Sequence, residues 1–258
     1  MLGLIDPFVL WETPPQAFDH DGRNPGIRVT RAHQQLFPRM EILPEAQKQL
    51  WPELAEVSDQ FILYGGTAIA LHLGHRQSVD FDFFCFAPID PDLFLDQITF
   101  LDGGRVLQKS PNSLTVLVDW GGPVQISFFG VPKLKRLRPP LCAPDNNLQI
   151  ADLLDLAGTK AAVVQKRAEA KDYIDLDAIV TRGGISLPMA LSAAAYIYGT
   201  SFNPEITLKA LCYFEDGNVA TIPADVRDRL LEAVRKVDLD ALPSVKPKTE
   251  NSNLRGNP

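Results

Sequence analysis

The Gly65-Gly66 pair constrains the fold of this chain more than any other feature, because it joins an apolar run to a strong helix former. Residues 61–64 read as a short buried strand, and residues 67–73 read as a helix that ends at Gly74. The pair therefore predicts a strand-to-helix turn. Backbone N–H groups at the start of a helix are free to bind phosphate, so this turn is a candidate nucleotide site. A plain structural turn is the alternative.

Two acidic residues follow on the next predicted strand. Side chains alternate along a strand, so Asp80 and Asp82 share one face, and Val79, Phe81 and Phe83 are expected to face the core. Adjacent carboxylates repel each other unless a cation lies between them, and Mg²⁺ is commonly held by one or two carboxylates together with phosphate and water. A solvated strand face is the alternative for the pair alone. The order strand, Gly-Gly, helix, Asp-x-Asp strand favours a nucleotide site with magnesium.

Residues 63–84, which contain these motifs, resemble the signature of the AbiEii/AbiGii toxin family of nucleotidyltransferases, within the DNA polymerase beta-like superfamily. Residues 153–160 and 167–176 resemble that family's later helical segment, with its lysine and its basic-Asp-Tyr pattern. The likeness covers roughly residues 40–180. It implies an α+β fold, in which a polymerase beta-like nucleotidyltransferase domain with a mixed sheet is followed by a C-terminal helical domain.

The resemblance also implies a function. Known members are mostly toxins of bacterial toxin–antitoxin or phage-defence pairs, and some transfer nucleotides to tRNA. A chain of this kind would move a nucleotidyl group from an NTP to a hydroxyl acceptor, a tRNA or a protein, with Mg²⁺ as its cofactor and an antitoxin as its partner. The alternative is a catalytically degenerate module that binds a nucleotide or a partner protein.

The motifs and the resemblance together assign the candidate site residues. The carboxylate pair would hold magnesium, the helix start would hold phosphate, and a lysine and a further aspartate would complete the cleft. The nucleotide-binding set is Gly65, Gly66, Thr67, Ser78 and Lys160. The catalytic set is Asp80, Asp82, Lys160 and Asp172, of which Asp80 and Asp82 also bind the metal.

Lys160 and Asp172 occupy positions where apolar side chains are expected. On helical spacing Lys160 shares a stripe with Leu153 and Ala157, so its charge needs a phosphate, a carboxylate or a route to water. If it faces bound phosphate and not solvent, replacing Lys160 with Met should leave the fold as stable as before or more so. Asp172 would cap a helix that starts at Tyr173, or face the same cleft as Lys160, and the two roles are compatible.

One position departs from the superfamily pattern. Polymerase beta-like enzymes usually carry a third carboxylate on a neighbouring strand, and the predicted strand at residues 124–129 has Ser127 there. Asp119, at the end of the preceding predicted strand, either replaces this carboxylate or belongs to the turn before Gly121 and Gly122. The departure puts a two-metal mechanism in doubt and supports the degenerate alternative. His72 and His75 straddle a helix end, so packing or exposure is expected for them and not metal binding.

Composition sets the remaining limits. No apolar run approaches the roughly 20 residues that cross a membrane, and the N-terminus does not read as a secretory signal, so a cytoplasmic location is expected. The net charge of −7 argues against indiscriminate nucleic-acid binding. The three scattered cysteines predict neither disulfides nor a zinc site.

Four segments are predicted along the chain. They are an irregular, proline-rich extension at residues 1–39, the nucleotidyltransferase domain at 40–140, the helical domain at 141–242 and a disordered tail at 243–258. Because the extension shows no periodic apolar face, we expect it to be dispensable for the fold. Residues 41–57 are predicted to form a helix that leads into the first strand.

Overall fold

The computed structural model describes residues 34–57, 59–95 and 97–248. Most of the predicted extension and most of the predicted tail lie outside these residues, and the four predicted segments stay a prediction. Residues 34–39, at the described end of the extension, contact the rest of the fold. Gln35 forms a bridge with Cys142, and the Arg39 backbone N–H donates to the Leu71 carbonyl at 2.9 Å.

In the described part of the chain, seven strands form one mixed sheet. They are β1 (Phe61–Tyr64), β2 (Asp80–Cys85), β3 (Arg105–Ser110), β4 (Ser113–Asp119), β5 (Pro123–Gly130), β6 (Leu141–Cys142) and β7 (Gln149–Ile150). Their order is β3-β4-β5-β2-β1-β7-β6. β2 is antiparallel to β1 and parallel to β5, so the carboxylate-bearing strand lies in the middle of the sheet.

The described ranges contain eight α-helices, and the longest four follow the sheet in the chain. They are α1 (Glu45–Leu50), α2 (Gly65–Leu73), α3 (Pro91–Leu95), α4 (Leu153–Val163), α5 (Ala170–Thr181), α6 (Leu187–Tyr198), α7 (Pro204–Ala210) and α8 (Ala224–Arg235). α4 packs against α5 and α6, and α2 contacts both α4 and α5. The predicted α+β fold with a mixed sheet and a helical C-terminal part is confirmed. Within the described ranges, no helix has the length and apolar character needed to cross a membrane.

Aromatic residues fill the core beneath the central strands. The rings of Phe61 and Phe83 each lie 5.3 Å from the ring of Phe128, centroid to centroid, and all three side chains are almost completely buried. Each such side chain contributes about 1.5 to 3 kcal/mol of burial free energy. The same hydrophobic cluster includes Leu156 of α4 and Leu176 of α5, so the sheet and these helices share one core.

Two predicted elements differ from the observed ones for identifiable reasons. The helix predicted at residues 41–57 is broken, since α1 ends at Leu50 and residues 51–56 continue as a 3₁₀ helix that contains Pro52, which cannot donate a backbone hydrogen bond. The sequence pattern predicts a helix from residue 150, but α4 starts only at Leu153, because residues 149–150 pair with the sheet. Asp152 then caps α4, with its side chain accepting the Leu154 N–H at 2.9 Å.

The motif region matches its prediction with one correction. α2 ends at Gly74 in the left-handed conformation, with φ of 62° and its N–H donating to the Ala70 carbonyl, as a glycine C-terminal stop requires. The prediction that Val79 faces the core is wrong. Val79 precedes β2 and is 58% exposed, because the alternation of faces applies only where the chain is paired as a strand.

Candidate functional site

A cleft of about 440 Å³ is lined by residues from the sheet, from the start of α2 and from the helical part. Six of the predicted site residues line this cleft. They are Gly65, Gly66, Ser78, Asp80, Asp82 and Lys160. The sequence motifs at residues 65–82 and the helical lysine, which are far apart in the chain, therefore meet at one place.

The start of α2 is open to the cleft. The helix begins at Gly65 directly after β1, and the residue at its N-cap position, Tyr64, makes no capping hydrogen bond with its side chain. Gly65 has a φ of 72°, and a Cβ there would lie 2.6 Å from a carboxylate oxygen of Asp82. A Cβ at Gly66 would collide with the guanidinium of Arg76. The two glycines thus bring the carboxylate and the guanidinium close to the first backbone N–H groups of the helix.

Asp80 and Asp82 lie on the same face of β2, and both are half-buried and line the cleft. Burial raises the pKa of Asp82 above its ordinary value, and the nearby Asp80 carboxylate raises it further. A hydrogen bond with Ser127 and the charge of Lys160 act in the opposite direction. The repulsion between the two carboxylates, which raises the pKa of Asp82, also favours a bound cation. The pair therefore fits a divalent metal.

Protein ligands for a metal would come from this pair. No cluster of three or more histidine, cysteine, aspartate or glutamate residues suited to a metal is found within the described ranges. Phosphate oxygens and water would therefore complete the coordination shell, as they commonly do for magnesium.

Thr67 is the predicted phosphate-binding residue whose side chain does not reach the cleft. Its side chain is buried, and its hydroxyl is hydrogen-bonded to the Ser78 hydroxyl at 2.8 Å and to the Asp80 carbonyl. This arrangement ties α2 to the residues that lead into β2. Thr67 consequently positions Ser78, which does line the cleft.

Lys160 is buried between two carboxylates. Its Nζ lies 2.6 Å from Oδ1 of Asp172 and 2.8 Å from Oδ2 of Asp175, and its side chain is only 7% exposed. Of the three partners considered for its charge, which were a phosphate, a carboxylate and water, the structure shows carboxylates. Two anions are thus built into the fold beside the lysine, and its contact with a phosphate stays a prediction.

Asp172 does not cap its helix. α5 begins at Ala170 and not at Tyr173, so Asp172 lies within the first turn, where it is completely buried. Its carboxylate accepts hydrogen bonds from Lys160 and from Nε of Arg167, the latter at 2.7 Å. Burial raises the pKa of Asp172, but the hydrogen bond from Arg167 and the charge of Lys160 outweigh burial and lower it overall.

Asp175 is the site residue that sequence reasoning missed. It is completely buried, and its carboxylate contacts Arg76 through Nε at 2.6 Å and Nη2 at 2.9 Å, and His75 through Nε2 at 2.7 Å. Burial raises its pKa, but the contacts with His75, Lys160 and Arg76 lower it well below its usual range. The available signal was its spacing, since residues three apart share a helix face and Asp175 follows Asp172 by three.

The cationic side chains of this region face the cleft. Those that line it are Arg76, Lys160, Lys166, Arg167 and Lys171. The whole chain has a net charge of −7, so this concentration of positive charge is local. These five cations outnumber the carboxylates of Asp80 and Asp82 in the lining, and an excess of positive charge in a concave surface raises the local concentration of anions such as phosphates.

The structure resolves the alternatives left for Asp119. Its exposed side chain accepts the Gly122 N–H at 2.9 Å, so it belongs to the turn after β4. In the sheet register, Asp82 pairs with Ser127, and Ser127 pairs with Thr115 on β4. Asp119 is four residues beyond Thr115, about 13 Å along the strand. Asp119 is thus too distant to supply a third carboxylate at Asp82.

The two histidines have separate partners. Nε2 of His72 lies 2.9 Å from the Ala151 carbonyl, and burial lowers the pKa of this imidazole. His75 instead contacts Asp175, and its side chain is only 2% exposed. The two imidazoles thus contact different partners and do not converge on a common point.

Comparison with known proteins identifies relatives of this chain. A family model described as "Nucleotidyl transferase AbiEii toxin, Type IV TA system" matches residues 50–248. An uncharacterized protein of Aquifex aeolicus, aq_aa25, is 33% identical over 162 residues, which cover 62% of this chain and 76% of that protein. Among solved structures, MenT4, a nucleotidyltransferase toxin from Mycobacterium tuberculosis, superposes with a TM-score of 0.54 at 15% identity. The match covers 76% of this chain and 83% of MenT4, and it shows a likeness of fold.

Proposed function

Because the chain belongs to the AbiEii family of nucleotidyltransferase toxins, we propose that it transfers a nucleotidyl group from an NTP to a hydroxyl acceptor, a tRNA or a protein, and releases pyrophosphate. The observation that supports this most strongly is the meeting of the α2 N-terminus, the Asp80–Asp82 pair and Lys160 in one cleft. A helix N-terminus and a lysine bind phosphate, and a carboxylate pair suits a divalent cation.

The residues of the cleft would divide the work between binding and charge stabilisation. The first N–H groups of α2 and the Ser78 hydroxyl would bind phosphate oxygens, and Arg76 and Lys160 would balance their negative charge. Magnesium, held by Asp80 and Asp82, would supply Lewis-acid stabilisation of the charge that develops at phosphorus.

The environment of Asp172 favours a role in orienting Lys160 over a role in proton transfer. A carboxylate with a lowered pKa is a weak proton acceptor, and Asp172 already receives hydrogen bonds from Lys160 and Arg167. Orienting the Lys160 ammonium toward the cleft therefore suits it better than accepting a proton. Asp175 would fix the same ammonium from a second side and hold Arg76 beside Gly66.

A degenerate, binding-only protein is the second candidate. It is favoured by Ser127, which stands opposite Asp82 where the superfamily usually has a third carboxylate. Nucleotidyl transfer depends mainly on positioning and electrostatic stabilisation, so the loss of one carboxylate lowers activity without removing the binding site.

As a member of a toxin family, the protein would act in the cytoplasm and be counteracted by an antitoxin. To test the activity, the purified protein is incubated with each of the four NTPs labelled at the α-phosphate, with magnesium and total RNA. We expect label to enter RNA, or a protein if the acceptor is a protein, and Asp82→Asn to abolish transfer. NTP binding by the wild type without transfer to either acceptor would favour the degenerate candidate.

A further inference from the structure

Two neighbouring strands carry matched rows of side chains, of which Asp80, Asp82, Phe84 and Phe129 line the cleft. Residues two apart on a strand share a face, so Asp80, Asp82 and Phe84 form one row along β2, about 13 Å long. On the parallel strand β5, Ser127 stands opposite Asp82 and Phe129 stands opposite Phe84. Both rows are therefore polar at one end and aromatic at the other.

The aromatic end is built from rings that hold one another in place. Phe84 and Phe129 are half-buried, line the cleft and meet edge to face, with ring centroids 5.6 Å apart. The buried ring of Tyr64 stacks on Phe84 at 4.7 Å and an interplanar angle of 11°. Tyr198, at the C-terminal end of α6, lines the same cleft.

The polar end is fixed by the charges around the start of α2. The Gly65 position is next to Asp82, and the Gly66 position is next to Arg76 and Ser78. A ligand that binds along the rows would need an anionic, metal-binding group at one end and a flat apolar group at the other. A nucleoside triphosphate has this polarity.

We propose that Phe84, Phe129 and Tyr198 form the nucleobase subsite of the cleft, an assignment that rests on the proposed use of NTP. The base would stack on the aromatic rings while the triphosphate lies at the start of α2. Burial raises the pKa of Tyr198 to about 12, so its hydroxyl stays neutral near pH 7. The hydroxyl can therefore donate a hydrogen bond to a nucleobase or accept one from it. The subsite thus adds affinity that the triphosphate alone does not have.

The test compares two ligands that differ only in having a nucleoside. The full chain is titrated calorimetrically, in the presence of magnesium, with each NTP and with inorganic tripolyphosphate. We expect Phe84→Leu to weaken the affinity for the tightest-binding NTP about fivefold to a hundredfold, the usual range for loss of a base stack, and to leave the tripolyphosphate affinity unchanged. Phe84→Tyr, which keeps the ring, should retain NTP affinity.

A matched control lies just beyond the end of β2. Phe86 is also half-buried and lies two residues beyond Phe84, but it is not among the residues that line the cleft. Phe86→Leu should change neither affinity. Phe129→Leu provides an independent test of the subsite that leaves the contact between Tyr64 and Phe84 in place, so the proposal can be judged even if Phe84→Leu does not fold.

The outcomes separate this inference from the proposed function. Loss of NTP affinity with unchanged tripolyphosphate affinity, in Phe84→Leu or Phe129→Leu, supports the subsite. Unchanged NTP affinity in these variants, or equal losses for both ligands, overturns it while the proposed function stands. If wild-type protein binds neither NTP nor tripolyphosphate, the proposed function fails and the subsite assignment fails with it.

Discussion

Replacing Lys160 with Met tests whether the buried ion cluster stabilises the fold. Methionine keeps the apolar stem of the side chain and removes the charge that Asp172 and Asp175 share at 2.6 and 2.8 Å. From the sequence alone, a variant of equal or greater stability was expected. The structure reverses the sign, because both carboxylates are completely buried and would lose a cation that compensates them.

The expected loss follows from the remaining partners. Removing one member of a buried ion pair costs about 3 to 5 kcal/mol. Asp172 would keep Arg167, and Asp175 would keep Arg76 and His75, so we expect the lower end, about 3 kcal/mol. For a protein of this size, 1 kcal/mol corresponds to about 2 to 4 °C, so the melting temperature should fall by about 6 to 12 °C.

Lys171→Met is the matched control in the thermal unfolding measurement. Lys171 also lines the cleft, but its side chain is 47% exposed and pairs with Glu169 at 3.2 Å. An exposed pair is worth about 0 to 1 kcal/mol, so the control should melt within about 4 °C of wild type. A Lys160→Met protein that melts at or above the wild-type temperature would refute the stabilising role of the cluster. In the same variant, NTP affinity should fall about ten- to a hundredfold if the lysine also contacts phosphate.

Three further outcomes are expected. Asp82→Asn keeps the shape of the side chain and removes a charge, so transfer should be abolished while the melting temperature changes little; an unchanged transfer rate would contradict the metal assignment. Residues 1–39 were expected to be dispensable, but a chain that begins at Met40 loses the pairing with Cys142 and should melt lower than one that begins at Gln34. Equal melting of the two would show that this pairing contributes nothing. Asp155 is buried and burial raises its pKa from 3.8 to about 6, so the folded state holds a proton that the unfolded chain releases. Its stabilising contribution is complete below about pH 4 and is lost as the pH rises through 6, by about 3 kcal/mol in total, and unfolding of Asp155→Asn at a series of pH values should lack that decline.

Local signals explain what the sequence predicted correctly. The strand, the glycine-opened helix with its stop at Gly74 and the strand that carries Asp80 and Asp82 each depend on neighbours within a few residues. Hydrophobic alternation and glycine conformational freedom are properties of such short segments. The order of these elements could therefore be predicted from the sequence. The same signals identified the carboxylates and the helix start that line the cleft.

Long-range contacts explain what was missed. Asp175 is connected to Arg76 across 99 residues, so its spacing from Asp172 could indicate a shared helix face but not this partner. Thr67 was expected to bind phosphate, but its hydroxyl turns inward because Ser78 and the Asp80 carbonyl lie within hydrogen-bonding distance in the folded chain. Such partners are defined only once the helices and the sheet have packed together.

We propose that the triphosphate of an NTP binds at the start of α2, facing the carboxylate pair. A crystal structure with a non-hydrolysable NTP and magnesium tests it most directly. We expect phosphate oxygens about 3 Å from the backbone nitrogens of Gly65 and Gly66, and the metal bound by Asp80 and Asp82. A triphosphate bound elsewhere on the protein, with this cleft free of nucleotide, would contradict the account.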